Sequence, residues 1–166
     1  IRNIFRSKKN VKVILDELIE INPKFNQIIT KNSKYSYDFL ILATGSEISY
    51  FGYDQWKKFS PGLKNIEDAT FIRGKILKAF EKAERIKNNK EIKKLMNFVV
   101  IGGGPTGVEI AGAIAELSKK VLINKFNTID TKAAHIILIE ACSSILPAAS
   151  HNLSIYTKDS IEKLGV

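Results

Sequence analysis

The sequence predicts an α/β chain, with an open parallel sheet in its second half and an antiparallel meander in its first. Three observations carry that expectation. An apolar run, Phe98-Val99-Val100-Ile101, passes directly into Gly102-Gly103-Gly104-Pro105-Thr106-Gly107 and then into a helical stretch from Val108 to Ser118, the strand, turn and helix of a βαβ unit. A second apolar run, Ile136-Ile137-Leu138-Ile139, ends in Glu140 and supplies the second strand of that unit. Between Val11 and Thr30, short apolar runs alternate with polar breaks, which is the pattern of a meander.

Taken in order, the meander is expected from Val11-Lys12-Val13-Ile14-Leu15, Leu18-Ile19-Glu20-Ile21 and Gln27-Ile28-Ile29-Thr30, with a turn at Asn22-Pro23 and another at Asn32-Ser33-Lys34. Tyr35 to Ala43 then reads as a strand whose end, Phe39-Leu40-Ile41-Leu42-Ala43, is apolar enough to be buried on both faces. Thr44-Gly45 stops it. A small residue, a hydroxyl and a glycine at a strand's C-terminal end either admit a ligand, as open α/β sheets do, or simply end the strand. Ser46 to Lys64 is rich in aromatic and turn residues and is expected to pack on the core as a crossover loop. Ile66 opens a helix in which Ala69, Ile72, Ile76, Ala79 or Phe80, and Ala83 recur at spacings of three and four, with Glu67 and Asp68 at its positive end and Asn88-Asn89 ending it. After the βαβ unit, Pro147 breaks the chain, and Leu153 to Leu164 forms another amphipathic helix before Gly165.

The glycine turn carries the chemistry. In the GxGxxG spacing Gly102 permits the tight turn, Gly104 lets the backbone approach a pyrophosphate, and Gly107 lets the helix lie close on the strand. Pro105 suits the first helical position, where its missing N–H costs nothing, and Thr106 follows among the free N–H groups that can face an anion. Such a Rossmann-like unit also needs an acid at the end of the second strand to bond the ribose hydroxyls, and Glu140 is the candidate. It lies about 33 residues after Gly107, against the roughly 20 expected of the fingerprint. The polar segment holding Asn124, Asn127, Thr128, Asp130 and Thr131 accounts for the difference as an insertion between helix and strand. Asp130 is nearer by count, but it belongs to that insertion.

Composition excludes several classes. With 45% hydrophobic and 26% charged residues the 166-residue chain can build a core and is not a disordered tail. No apolar run reaches the roughly 20 residues a bilayer span requires, and Ile1-Arg2-Asn3-Ile4-Phe5-Arg6 has no signal-peptide h-region. The absence of an initiating methionine suggests that the sequence starts inside something longer or has been trimmed. One cysteine, Cys142, makes neither an internal disulfide nor a cysteine metal site, fits a reducing compartment, and is expected as a buried thiol. His135 and His151 are read as incidental, with no metal cluster and no nucleophilic triad. The net charge of +9 gathers in Lys82 to Lys94, which has no interleaved aromatics and no nucleic-acid motif. It is expected as a solvated helix end and loop, with attraction to an anionic membrane surface as the second reading.

A series of motifs in order connects the chain with a family. Tyr37-Asp38-Phe39-Leu40-Ile41-Leu42-Ala43-Thr44-Gly45 resembles the second flavin-binding motif of the two-dinucleotide flavoprotein reductases. Ser49-Tyr50-Phe51-Gly52, Pro61-Gly62-Leu63-Lys64-Asn65-Ile66-Glu67-Asp68-Ala69 and Gly102 to Glu109 resemble the type II NADH:quinone dehydrogenases, as does the polar insertion. The resemblance implies a partial FAD-binding domain over residues 1–65, with Ala43, Thr44 and Gly45 at the flavin, and a partial NAD(H)-binding domain over 66–166. It implies hydride transfer from NADH to FAD and then to a quinone, and it places Glu109 where the family has a glutamate near the flavin; as a plain residue, Glu109 is a helix N-terminal carboxylate. A peripheral protein on the cytoplasmic side of the membrane is implied for the whole, with a homodimer allowed and no nucleic-acid partner. The first GxGxxG, the last flavin segment and the quinone pocket are not in this stretch, so the chain by itself is expected to be inactive and to hold no FAD. A related pyridine nucleotide-disulfide reductase and a non-catalytic nucleotide-binding remnant are the alternatives.

Overall fold

A computed structural model describes all 166 residues, in two compact units, 1–47 and 48–166. The first unit is an antiparallel meander of three strands, β1 (Leu18–Asn22), β2 (Gln27–Thr30) and β3 (Lys34–Ser36), in the order β1-β2-β3. Ile21 faces Ile28, which faces Tyr35, so one apolar row crosses all three strands. The β1–β2 turn starts at Pro23, whose fixed φ suits it, and closes at Asn26 with φ +48, a left-handed conformation that asparagine tolerates. Asp16 accepts from Thr30 Oγ1 at 2.8 Å and Asn32 Nδ2 at 2.9 Å and ties the approach to β1 against the second turn.

Two strand expectations in this unit are corrected. Val11 to Leu15 has no ladder partner and is irregular, with Leu15 93% exposed. The run from Phe39 to Ala43 is likewise no strand, and Phe39 and Ile41 are 94% and 90% exposed. An apolar run becomes a doubly buried strand only between two strands and two covering layers. No strand of this chain pairs with it.

In the second unit the expected crossover loop is also corrected. Asp54–Lys58 forms a 3-10 turn with Tyr53 stacked on Trp56 at 4.6 Å, but Phe51, Tyr53, Trp56 and Phe59 remain exposed rather than packed on the core. The Tyr50 hydroxyl closes the loop by donating to the Ser60 carbonyl at 2.7 Å.

Helix α1 (Ile66–Glu84) starts at a reciprocal capping box. Asn65 Oδ1 accepts the Asp68 N–H at 2.7 Å while Asp68 Oδ2 accepts the Asn65 N–H at 3.2 Å, so two helix-end donors are satisfied. Its apolar stripe ends in Phe80 and Ala83, both fully buried. The helix stops at Arg85, and Asn88 caps a second one, α2 (Asn89–Leu95), so the expected loop in the basic stretch is helical. Its Ile92 and Leu95 reach the core while Lys90, Lys93 and Lys94 stay exposed.

The βαβ unit follows as β4 (Asn97–Ile101), α3 (Pro105–Glu116) and β5 (His135–Ile139), with β4 and β5 parallel and in register from Asn97↔His135 to Ile101↔Ile139. Phe98, Val100, Ile136 and Leu138 face the core made by Phe80, Met96, Ala111, Ile114 and Ala115. Burying a residue such as Phe80 contributes about 1.5–3 kcal/mol. The opposite face is open, with Val99 53% and Ile101 67% exposed, so the strand is buried on one side rather than throughout. Beyond α3 the chain widens into a π turn, Leu117–Val121, where buried Ser118 bonds back to the Ile114 carbonyl at 2.9 Å.

The insertion is pinned rather than loose. The Glu84 carboxylate accepts the N–H groups of Asn127 at 2.7 Å and Thr128 at 3.0 Å and lies 2.7 Å from Thr128 Oγ1. The Thr128 side chain, and then these N–H groups, hold the Glu84 carboxyl below its usual range. Helix α4 (His151–Leu164) closes the chain and ends at Gly165, whose φ of +92 supplies the left-handed cap.

Candidate functional site

The site lies where β4 and β5 end and α3 begins. Gly102 has φ +104, a conformation that costs glycine nothing, and its N–H reaches across to the Ile139 carbonyl at 2.8 Å. A Cβ on Gly107 would drive into the Gly102 carbonyl oxygen, so this glycine is what lets α3 sit directly on the end of β4. Gly104 differs. It caps α3 with φ −70 and ψ 177, and a Cβ there would meet nothing within 4 Å. The backbone at Gly104 therefore faces open space.

Around that space stand the groups an anion needs. Pro105 occupies the first helical position, and the N–H groups of Thr106 and Gly107 have no intrahelical acceptor. No acidic side chain lies in the first turn of α3, so the positive helix end, about half an elementary charge, meets no acid from its own helix. The glycines open onto a cleft of about 950 Å³ bounded by Tyr50, Trp56, Leu63, Val99 and Ile110. A pyrophosphate fits this cradle by charge, by donor supply and by clearance.

Glu140 follows β5 and turns back onto the glycine turn. Its Oε2 accepts the Gly103 N–H at 2.6 Å and its Oε1 the Cys142 N–H at 2.9 Å. The Cys142 N–H, and then that of Gly103, hold the carboxyl below its usual range, so it is ionised at neutral pH. Gly102, Gly104, Pro105, Thr106, Gly107 and Glu140 thus meet at one turn, as the sequence suggests. Asp130, the nearer acid by count, is used instead to cap the 3-10 turn Thr131–Ala133 through the Lys132 N–H.

The other candidates stand apart. Glu109 is the fifth residue of α3, exposed, and just beyond the first turn, so the helix-end stabilisation weighed for it is weak. Ala43, Thr44 and Gly45 belong to the first unit, exposed and without regular structure, with Gly45 at φ +81. Residues in that state do not make a flavin site by themselves. Cys142 is exposed, contrary to the expected buried thiol, because the turn after β5 lifts it out of the sheet. No group of three or more His, Cys, Asp or Glu side chains is placed to hold a metal ion.

Sequence reasoning missed two residues. Gly103 falls on an unspecified position of GxGxxG, and its only signal was a third glycine in a row. Glu84 carried no signal, since its partners lie more than 40 residues away.

Known proteins match this chain over nearly its whole length. A family profile described as pyridine nucleotide-disulphide oxidoreductase matches residues 2–166. The type II NADH:quinone oxidoreductase NdhA of Mycobacterium tuberculosis is 40% identical over 99% of this chain, and the match covers 36% of that protein. The external NADH-ubiquinone oxidoreductase 2 of Saccharomyces cerevisiae mitochondria is 33% identical over 93% of this chain and 30% of its own length. The structure of NDH2 from Plasmodium falciparum in complex with NADH superposes with a TM-score of 0.73 at 29% identity, covering 91% of this chain and 32% of that one. The chain therefore spans about a third of the length of the relatives it matches.

Proposed function

The chain belongs to the pyridine nucleotide-disulphide oxidoreductase family, and from that premise we propose that it is the NADH-binding part, with a piece of the flavin domain, of a type II NADH:quinone oxidoreductase. In that reading residues 66–166 hold the nucleotide and residues 1–65 are the flavin-domain piece. NADH, when bound, would supply the hydride, and FAD, when bound, the electron-transfer chemistry toward a quinone. The residues of this chain bind and orient. Gly102 and Gly107 set the turn and the helix, Gly104 leaves clearance for the pyrophosphate, Pro105 starts the helix so that the Thr106 N–H faces it, and Glu140 accepts from the ribose. Ala43, Thr44 and Gly45 meet FAD only in the company of further flavin-domain elements, and Glu109 acts at the reacting end.

One observation carries the reading: an ionised carboxylate held against a glycine turn, beside a helix whose first turn has no acid of its own and whose Gly104 cap faces open space. The quinone reaction extends it on the strength of the relatives' names, and a peripheral position on the cytoplasmic face of the membrane and a homodimer complete the proposal. No helix here is long and apolar enough to cross a membrane.

Titration of the full-length protein tests it. NADH should bind more tightly than NADPH, because Glu140 repels a 2′-phosphate. Glu140→Ala should weaken NADH by roughly 10- to 150-fold, the value of a charge-assisted hydrogen bond. Equal affinity of the unmutated protein for the two nucleotides would overturn the assignment.

A further inference from the structure

Gly103 occupies a position for which the GxGxxG fingerprint prescribes no residue. It is nevertheless buried, and both polar groups of its backbone are taken by the segment after β5. Its N–H donates to Glu140 Oε2 at 2.6 Å, and its carbonyl accepts the Leu146 N–H at 2.7 Å. A Cβ at this position would stand 3.0 Å from Glu140 Cβ, 3.0 Å from Oε2 and 3.0 Å from Ile145 Cγ2, inside ordinary van der Waals contact on three sides. The glycine is needed for clearance and not for its dihedral, since it is not among the positive-φ residues.

We propose that Gly103 is a positioning residue for nucleotide discrimination, holding the Glu140 carboxylate in the orientation that receives a ribose diol. The proposal rests on the reading of Glu140 as the ribose acceptor. An ionised carboxylate has about four lone-pair sites, two on each oxygen. Gly103 takes one on Oε2 and Cys142 one on Oε1. Both bonds come from the turn, so acceptor capacity remains for ribose hydroxyls, while a 2′-phosphate meets only repulsion. A glutamate without the Gly103 bond must give up rotamer freedom when the nucleotide binds, and that loss weakens affinity. Gly103 removes this cost beforehand, and any side chain there pushes the carboxylate away.

A double-mutant cycle in the full-length protein, read as Kd for NADH and NADPH by calorimetry, tests the assignment. Gly103→Ala should weaken NADH about tenfold and leave NADPH within about twofold, lowering the NADH preference. In a Glu140→Ala background the same glycine change should move NADH by less than about twofold, because its effect runs through the missing carboxylate. An equal loss in both backgrounds would mean that Gly103 serves only the fold, and the proposal would fall. Glu140→Ala without effect on NADH would sink the ribose reading itself, an outcome separate from the first. Should Gly103→Ala fail to fold, Glu140→Asp keeps the charge, adds no atom and withdraws the carboxylate from the Gly103 N–H. It should weaken NADH about tenfold, and unmutated affinity in that variant would overturn the proposal.

Discussion

The last two glycines of the turn, Gly104 and Gly107, should separate cleanly into a ligand glycine and a fold glycine. A Cβ on Gly107 would overlap the Gly102 carbonyl oxygen and stand 3.0 Å from its carbonyl carbon, and both atoms are backbone at the end of β4. No rotamer change relieves that contact, so α3 must lift off the strand and loosen Ala111, Ile114 and Ala115 in the core. Overpacking of this kind costs about 1–3 kcal/mol. At roughly 2–4 °C for each kcal/mol in a chain of this size, Gly107→Ala should lower the melting temperature by about 2–12 °C. Gly104→Ala adds a Cβ that meets nothing within 4 Å at a φ of −70, which alanine accepts. Its smaller unfolded-state entropy and its poorer N-cap act in opposite directions, each by about 1 kcal/mol or less, so the melting temperature should hardly move. The added methyl nevertheless stands where a pyrophosphate would approach, and NADH should bind roughly 10- to 150-fold more weakly. Thermal unfolding by circular dichroism and NADH titration of both variants decide the matter. A Gly107→Ala protein that melts with the unmutated one, or a Gly104→Ala protein that binds NADH equally well, would refute the reasoning.

Asn65→Ala removes one half of the capping box of α1 and should cost about 1 kcal/mol, seen in denaturant unfolding. Glu84 and Glu140 have depressed carboxyl values in the folded state, so the unfolded chain binds more protons as the solution is acidified. Their contribution is present above the usual value of 4.5 and is lost as pH falls through the folded value; Glu84→Gln should flatten the acid side of a melting-temperature profile against pH, and an unchanged profile would count against the Thr128 anchor. Glu109 is exposed and outside the first helical turn, so Glu109→Gln should leave the melting temperature nearly unchanged while the quinone reductase rate of the full-length protein falls. Equal flavin reduction and quinone turnover in stopped-flow would remove it from the site.

What could be read from the sequence alone is what closes within a few residues. The start of α1 at Asn65, Pro105 at the head of α3 and Gly165 at the end of α4 are set by helix hydrogen bonds and caps that lie inside the segment itself. The pairing of β4 with β5 was legible too, because the glycine turn between strand and helix admits few other topologies. Strands depend on neighbours. Val11 to Leu15 and Phe39 to Ala43 have the composition of strands, but no part of this chain supplies their ladder partners. Val99 and Ile101 are apolar and exposed because burial needs a layer on each face and only one face of β4 is covered. Gly103 and Glu84 work through partners 37 to 44 residues away, and the exposure of Cys142 follows from the turn after β5, which Glu140 and Leu146 tie back to Gly103. Contacts between distant segments form only when the whole unit folds, so tertiary structure alone decided them.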